Sequence, residues 1–221
     1  MKNKRILHLI LVFVSVLILI SNTATAQSSI TIDASQQMTN FVFVNNSGIQ
    51  DNTYLVFGEE NIYKPIYSGA YNIGYSYLFD FGLFLRANAG MRNAGATMVY
   101  DATNYQWNFQ YIQGKLGVGY ALKLGRFSPY LAASGYFGYL AKANQRINNE
   151  DFDIINEDVI APYDYGVYLS PGLRIDASDY ISVYSELSYL MGLGNIENST
   201  NGQEANNVAY LLTLGLSFTV R

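Results

Sequence analysis

Six ionisable side chains, Arg86, Arg92, Lys115, Asp164, Arg174 and Glu186, each stand beside an apolar neighbour in segments where apolar and polar residues alternate. In an extended chain this alternation sends the charges to one face and the apolar residues to the other. Charges enclosed together must be paired, since an uncompensated buried charge costs on the order of several kcal/mol. We therefore expect Glu186 to pair across neighbouring strands with Arg174, with Arg86 or Lys115 close by. Such a network would close an interior to ions; a selective pore lined by the same residues is the alternative. A second group, Glu150, Asp151, Asp153, Glu157 and Asp158, offers oxygen ligands of the kind calcium takes. Its spacing lacks the glycine of an EF-hand loop, so a solvated acidic loop is the simpler reading.

Little other chemistry is available. The chain has no cysteine, and its one histidine, His8, lies in the N-terminal segment. Lys2, Lys4 and Arg5, the apolar stretch Ile6 to Ile20 and the small residues Ala24-Thr25-Ala26 have the layout of a secretory signal peptide cut before Gln27. Residues 27–221 then contain neither histidine nor cysteine. This excludes hydrolysis through a histidine base and metal sites built on those ligands. Gly117-Val118-Gly119 lacks the rest of any phosphate-binding fingerprint. We expect no enzyme activity and no cofactor. The net charge of −4, about −7 once the leader and its three cations are removed, argues against nucleic acid as a partner.

The elements that would position these charges are strands. Helical periodicity is hard to find after Gln27, whereas period-two alternation recurs. Ile181, Val183, Leu187, Tyr189, Met191 and Leu193 oppose Ser182, Tyr184, Glu186, Ser188, Gly192 and Gly194. Tyr210, Leu212, Leu214, Leu216, Phe218 and Val220 oppose Thr213, Gly215, Ser217 and Thr219. Between 163 and 175 the apolar set is Tyr165, Val167, Leu169, Pro171, Leu173 and Ile175. The run Tyr130 to Lys142 is ambiguous in facing. We expect eight strands, at 38–46, 66–78, 82–100, 107–122, 128–143, 162–175, 180–194 and 206–220. Short connections alternate with longer polar ones at 47–65, 144–161 and 195–205. Short turns at one end and long loops at the other describe an eight-stranded antiparallel up-and-down transmembrane β-barrel, in which closure satisfies the backbone and apolar side chains face lipid. Tyr77, Phe79, Phe81, Phe127 and Tyr180 near turns, and Tyr67, Tyr100, Tyr105, Trp107, Tyr163 and Tyr210 near loops, would form two aromatic girdles.

Several segments also resemble a known family. The run Phe127-Ser128-Pro129-Tyr130-Leu131-Ala132-Ala133-Ser134-Gly135-Tyr136-Phe137-Gly138-Tyr139 is similar to a characteristic strand of the PorT-like outer-membrane β-barrel family. So are Asp164 to Ile175, Ile181 to Tyr189 with Gly192-Leu193, and Leu212 to Phe218. The resemblance, over about residues 82–220, implies a small barrel of a Gram-negative outer membrane; one branch of the family is implicated in secretion and gliding machinery. The chain departs from the usual terminal aromatic, ending in Arg221 with Phe218 as its last aromatic residue, so its recognition by the assembly machinery is expected to be unusual.

The sequence thus leads us to expect a signal peptide at 1–26 and an outer-membrane barrel domain at 27–221. The expected partners are outer-membrane lipid and, through external loops, other envelope proteins, in a structural, adhesive or assembly role. A small passive channel and a soluble lipocalin-like barrel holding an apolar ligand are the alternatives.

Overall fold

The computed structural model describes residues 27–44, 50–51, 53–56, 59–157, 159–198 and 204–220. It contains β1 (Gln27–Val44), β2 (Gln50–Asp51), β3 (Thr53–Val56), β4 (Glu59–Ile62), β5 (Lys64–Leu78), β6 (Leu83–Tyr100), β7 (Thr103–Ala121), β8 (Phe127–Ile147), β9 (Glu150–Asp153), β10 (Tyr163–Asp176), β11 (Ile181–Gly192) and β12 (Glu204–Val220). Eight long strands close a ring, β1-β5-β6-β7-β8-β10-β11-β12, with every pair antiparallel and β12 returning to β1. β2 pairs with β1, β9 with β8, and β3 with β4. The expected signal peptide at 1–26 lies outside the described residues.

The first strand begins at Gln27, eleven residues before the expected 38–46. Its outward set (Ile30, Ile32, Ala34, Gln36, Met38) is interrupted by the small Ala34 and the polar Gln36, which hides the alternation. Pairing from Ser28↔Val220 to Val44↔Glu204 holds it in place regardless. The gap between the strands expected at 82–100 and 107–122 is only the turn Asp101-Ala102, after which β7 starts at Thr103. Both turn residues have positive φ, 45° and 58°, the backbone of a two-residue primed hairpin.

Facing follows the alternation and inverts along it. In the lower, turn-side part of β6, Leu83, Leu85, Ala87, Ala89 and Met91 point outward while Phe84, Arg86, Asn88 and Arg92 point inward. Above Arg92 the inward set becomes Ala94, Ala96 and Met98, and Asn93 and Thr97 take the outward side. β7 does the same. Its outward Ile112, Leu116, Val118 and Tyr120 give way to Gln106, Asn108 and Gln110. Its inward Lys115 and Gln113 give way to Tyr111, Phe109 and Trp107. On β1 the inward Asp33, Ser35, Gln37 and Thr39 are followed by Phe41 and Phe43. On β8 the outward series ends at Tyr139 and resumes as Lys142, Asn144 and Arg146, after a register shift opposite Gln110/Tyr111.

The lower zone therefore has apolar residues outside and polar ones inside; the upper zone is built like a soluble protein. Length allows both. At ~3.4 Å per residue and a tilt of ~40°, the 21 residues of β8 rise ~55 Å, about twice the ~25 Å apolar band of a barrel. The upper core gathers Phe41, Phe43, Tyr63, Ala94, Ala96, Met98, Phe109, Tyr111, Leu140, Ala143, Ile196 and Ala205, with Tyr100, Tyr105, Trp107, Ile154, Ile155 and Ile160 against it. This corrects part of the expected upper girdle. Tyr100, Tyr105 and Trp107 serve this interior, whereas Tyr67, Tyr163 and Tyr210 are exposed. At the other end Phe79 is buried between Tyr77 and Phe81.

Inward aromatic residues of the lower zone lie over glycines directly opposite them: Tyr130 over Gly172 and Tyr184 over Gly215. A Cβ at either glycine would meet the tyrosine hydroxyl oxygen at 2.6 Å. Replacing Gly172 by Val is expected to displace the Tyr130 ring and cost about 1–3 kcal/mol, the usual range for overpacking. Equilibrium unfolding from lipid vesicles checks this.

Candidate functional site: the lumen and its apolar cap

The lumen is filled by layers of bonded polar side chains. At the turn-side mouth, Arg174 Nε donates to Asp176 Oδ1 at 2.9 Å and Arg174 Nη2 to Gln27 Oε1 at 3.2 Å, while Ser182 Oγ donates to the same Asp176 oxygen at 2.7 Å. Above it, Arg86 forms an ion pair with Glu186, whose Oε1 also accepts from the Tyr130 hydroxyl at 2.8 Å. Arg86 Nε donates to Ser134 Oγ at 3.2 Å. Next, Asp33 accepts from Asn72 Nδ2 at 2.6 Å and from the Tyr184 hydroxyl at 3.0 Å. In the same region Lys115 Nζ lies 5.2 Å from the centre of the Tyr168 ring.

The uppermost layer is fully buried. Arg92 and Asp164 form an ion pair with both side chains at 0% exposure. Asn207 Nδ2 and the Tyr136 hydroxyl donate to Asp164 Oδ2 at 2.9 and 3.1 Å. The Arg92 guanidinium carbon lies 4.9 and 5.3 Å from the Tyr111 and Tyr136 ring centres, so its faces rest on π systems. The apolar core caps this layer.

All six charges singled out from the sequence face the lumen, but their pairing differs from the expected one. Glu186 takes Arg86, and Arg174 takes Asp176. Register gives the reason. Glu186 stands opposite Gly172, and Arg174 stands opposite Tyr184, nearer the mouth, where Asp176 and Gln27 satisfy it. Arg86 comes from β6, on the far side of the ring, and reaches Glu186 across the lumen. Lys115 has no carboxylate within 4.0 Å among the described residues.

Sequence reasoning missed Asp33 and the tyrosines Tyr130, Tyr136 and Tyr184 that hold the carboxylates. Asp33 fell before the expected first strand; reading Ile30, Ile32 and Ala34 as an outward series would have found it.

Two cavities remain in the lower lumen. One of about 70 Å³ is lined by Phe84, Arg86, Tyr130, Arg174, Tyr184 and Glu186. The other, of about 20 Å³, touches Asp33, Lys115 and Tyr168. They give room for a few waters. In the acidic segment both Asp151 oxygens bond Arg146, at 2.7 and 3.0 Å, and this interaction holds the Asp151 carboxyl below its usual pKa. Asp153 Oδ1 accepts from the Ile155 amide at 3.0 Å. Glu150 and Glu157 are exposed, and Asp158 lies outside the described residues. No group of three or more His, Cys, Asp or Glu is placed to hold a metal among the described residues.

A closed antiparallel ring of eight strands, apolar outside and ionic inside, defines a membrane-spanning β-barrel, and a soluble barrel with an apolar pocket is thereby set aside. The family model of the outer membrane protein beta-barrel domain matches residues 25–198. The chain belongs to that family, and it is an outer-membrane protein. Among solved structures it is similar to Neisserial surface protein A, with a TM-score of 0.52 and 11% identity over 88% of this chain and 99% of that one. It is also similar to OprG of Pseudomonas aeruginosa, with a TM-score of 0.47 and 8% identity over 88% of this chain and 96% of that one. A third is Ail of Yersinia pestis, with a TM-score of 0.45 and 12% identity over 88% and 99%. No curated protein matches the chain.

Proposed function

We propose that this chain is a non-enzymatic outer-membrane barrel with an adhesive, structural or secretion/assembly role, acting through the sheet it raises above the outer leaflet. The observation that carries this reading is the inversion of facing on β6, β7 and β8, with the inward face of β1 turning apolar at Phe41 and Phe43. It gives the raised part a dry core of its own, so the part outside lipid is a rigid platform instead of a set of slack loops. Its outward face carries Asn108, Gln110, Lys142 and Asn144 beside the exposed Val99, and its margin, β9, carries Glu150, Asp151 and Asp153 with the exposed Phe152. Such a surface suits a protein partner in the envelope. The ion pairs Arg86–Glu186 and Arg92–Asp164 and the apolar cap support a closed barrel over a channel. The absence of histidine and cysteine from residues 27–221 supports a role without catalysis. We read residues 1–26 as a cleaved leader and 27–221 as the barrel domain, a reading that the basic start, the apolar stretch and Ala24-Thr25-Ala26 support. The strand at Phe127 to Tyr139 supports a place in the PorT-like branch.

Two measurements test this. Cross-linking and capture from detergent-solubilised outer membranes should yield a partner with the wild type that is lost when residues 148–157 are replaced by a Gly-Ser linker; an unchanged capture profile rejects the platform. Planar-bilayer recording should give no reproducible large steps, and regular steps would establish the channel instead.

A further inference from the structure

The turn-side rim is electrostatically uneven. The β5–β6 connection carries Asp80 and the β10–β11 connection carries Asp179, whereas the β7–β8 connection carries Lys123 and Arg126. Both cations are exposed, and neither has a carboxylate within 4.0 Å among the described residues. Their turn is tightly built. Leu124 N donates to Phe127 O at 2.9 Å and Phe127 N to Leu124 O at 3.3 Å, Gly125 takes a φ of 67°, and the Asp176 amide ties the Arg126 carbonyl to the next strand at 2.9 Å. Leu122, Leu124 and Phe127, interleaved with the cations, are 54%, 64% and 54% exposed. Apolar side chains beside unpaired cations at the end of the lipid-facing belt suit the boundary between hydrocarbon and headgroups. The short turns of such barrels face the periplasm, so the leaflet concerned is the inner one.

We propose that Lys123 and Arg126 form a binding site for the headgroup phosphate of an anionic phospholipid in the periplasmic leaflet. The strands above the turn leave room for its acyl chain. Beyond Leu131 the barrel exterior is depressed around Val118, Ala133, Gly135 and Leu116. The six residues from Phe127 to Ala133 rise ~16 Å at ~3.4 Å each and ~40° of tilt, close to half of the ~30 Å hydrocarbon core. A chain anchored at the turn therefore ends in that depression. Asp80 and Asp179 on the other turns repel anionic headgroups, which confines the site to the β7–β8 sector.

The test is native mass spectrometry of the mature barrel in detergent, titrated separately with phosphatidylglycerol and phosphatidylethanolamine of identical acyl chains. A basic side chain near an anionic surface contributes about fivefold, so the pair should give roughly 25-fold tighter retention of phosphatidylglycerol. That preference should fall with added salt, because both cations are exposed. Lys123→Ser/Arg126→Ser should abolish it while heat-modifiable migration on gels remains, showing an intact barrel. Lys142→Ser, at the opposite end, should leave it unchanged. Equal retention of the two lipids by the wild type, or a preference that survives the double substitution, overturns the site.

Discussion

Asp164→Leu is expected to destabilise the barrel by about 3–5 kcal/mol, the loss that follows when one partner of a buried ion pair is removed and the other stays behind. Arg92 has no route to water, with both its side chain and that of Asp164 at 0% exposure. Arg92→Leu should cost less, because the Asp164 carboxylate keeps the Asn207 and Tyr136 donors. Replacing both Asp164 and Arg92 with leucine should recover most of the loss, since an apolar pair in place of a buried ion pair is often neutral or better. Equilibrium unfolding of the four proteins, closed as a double-mutant cycle, gives the coupling directly. Additive losses would show that the pair does not act as a unit.

Leu116→Arg and Asn108→Arg, eight residues apart on the same outward face of β7, should differ widely in cost. Leu116 is 72% exposed and sits near the middle of the lipid-facing belt. An arginine at the midplane of a barrel costs about 2–4 kcal/mol. Asn108 stands above the inversion, where the outward face meets water, and there the change should stay within about 0.5 kcal/mol. Folding titrations into vesicles measure both. Equal costs would mean that the membrane boundary does not cross β7 between Ile112 and Gln110.

The alternation in the sequence was enough to assign the facing of the lower barrel. Tyr165 to Ile175, Ile181 to Leu193 and Tyr210 to Val220 look outward residue by residue as read. The partner of Glu186 was not legible, because a period of two fixes facing but not height, and in a tilted ring the residues sharing a level come from distant strands. The upper zone was hidden for a related reason. A strand keeps its period when the medium outside changes from hydrocarbon to water, and only the assignment of apolar and polar to the two faces is exchanged. Trp107 was therefore placed in a girdle, although the change from Ile112, Leu116 and Val118 to Gln106, Asn108 and Gln110 on one face already marked the exchange. Asp33 was lost because Ala34 and Gln36 are poor lipid-facing residues, and β1 is held by its neighbours more than by its own outward surface.

The exchange also predicts an order of events in assembly. Where strands enter the bilayer from the periplasmic side, the upper apolar residues meet only after their segments have crossed, and their packing is expected to be the closing step. The single tryptophan of the chain, Trp107, sits against that cluster. Its emission would time this last stage separately from insertion, giving the protein a built-in stopwatch for its own maturation.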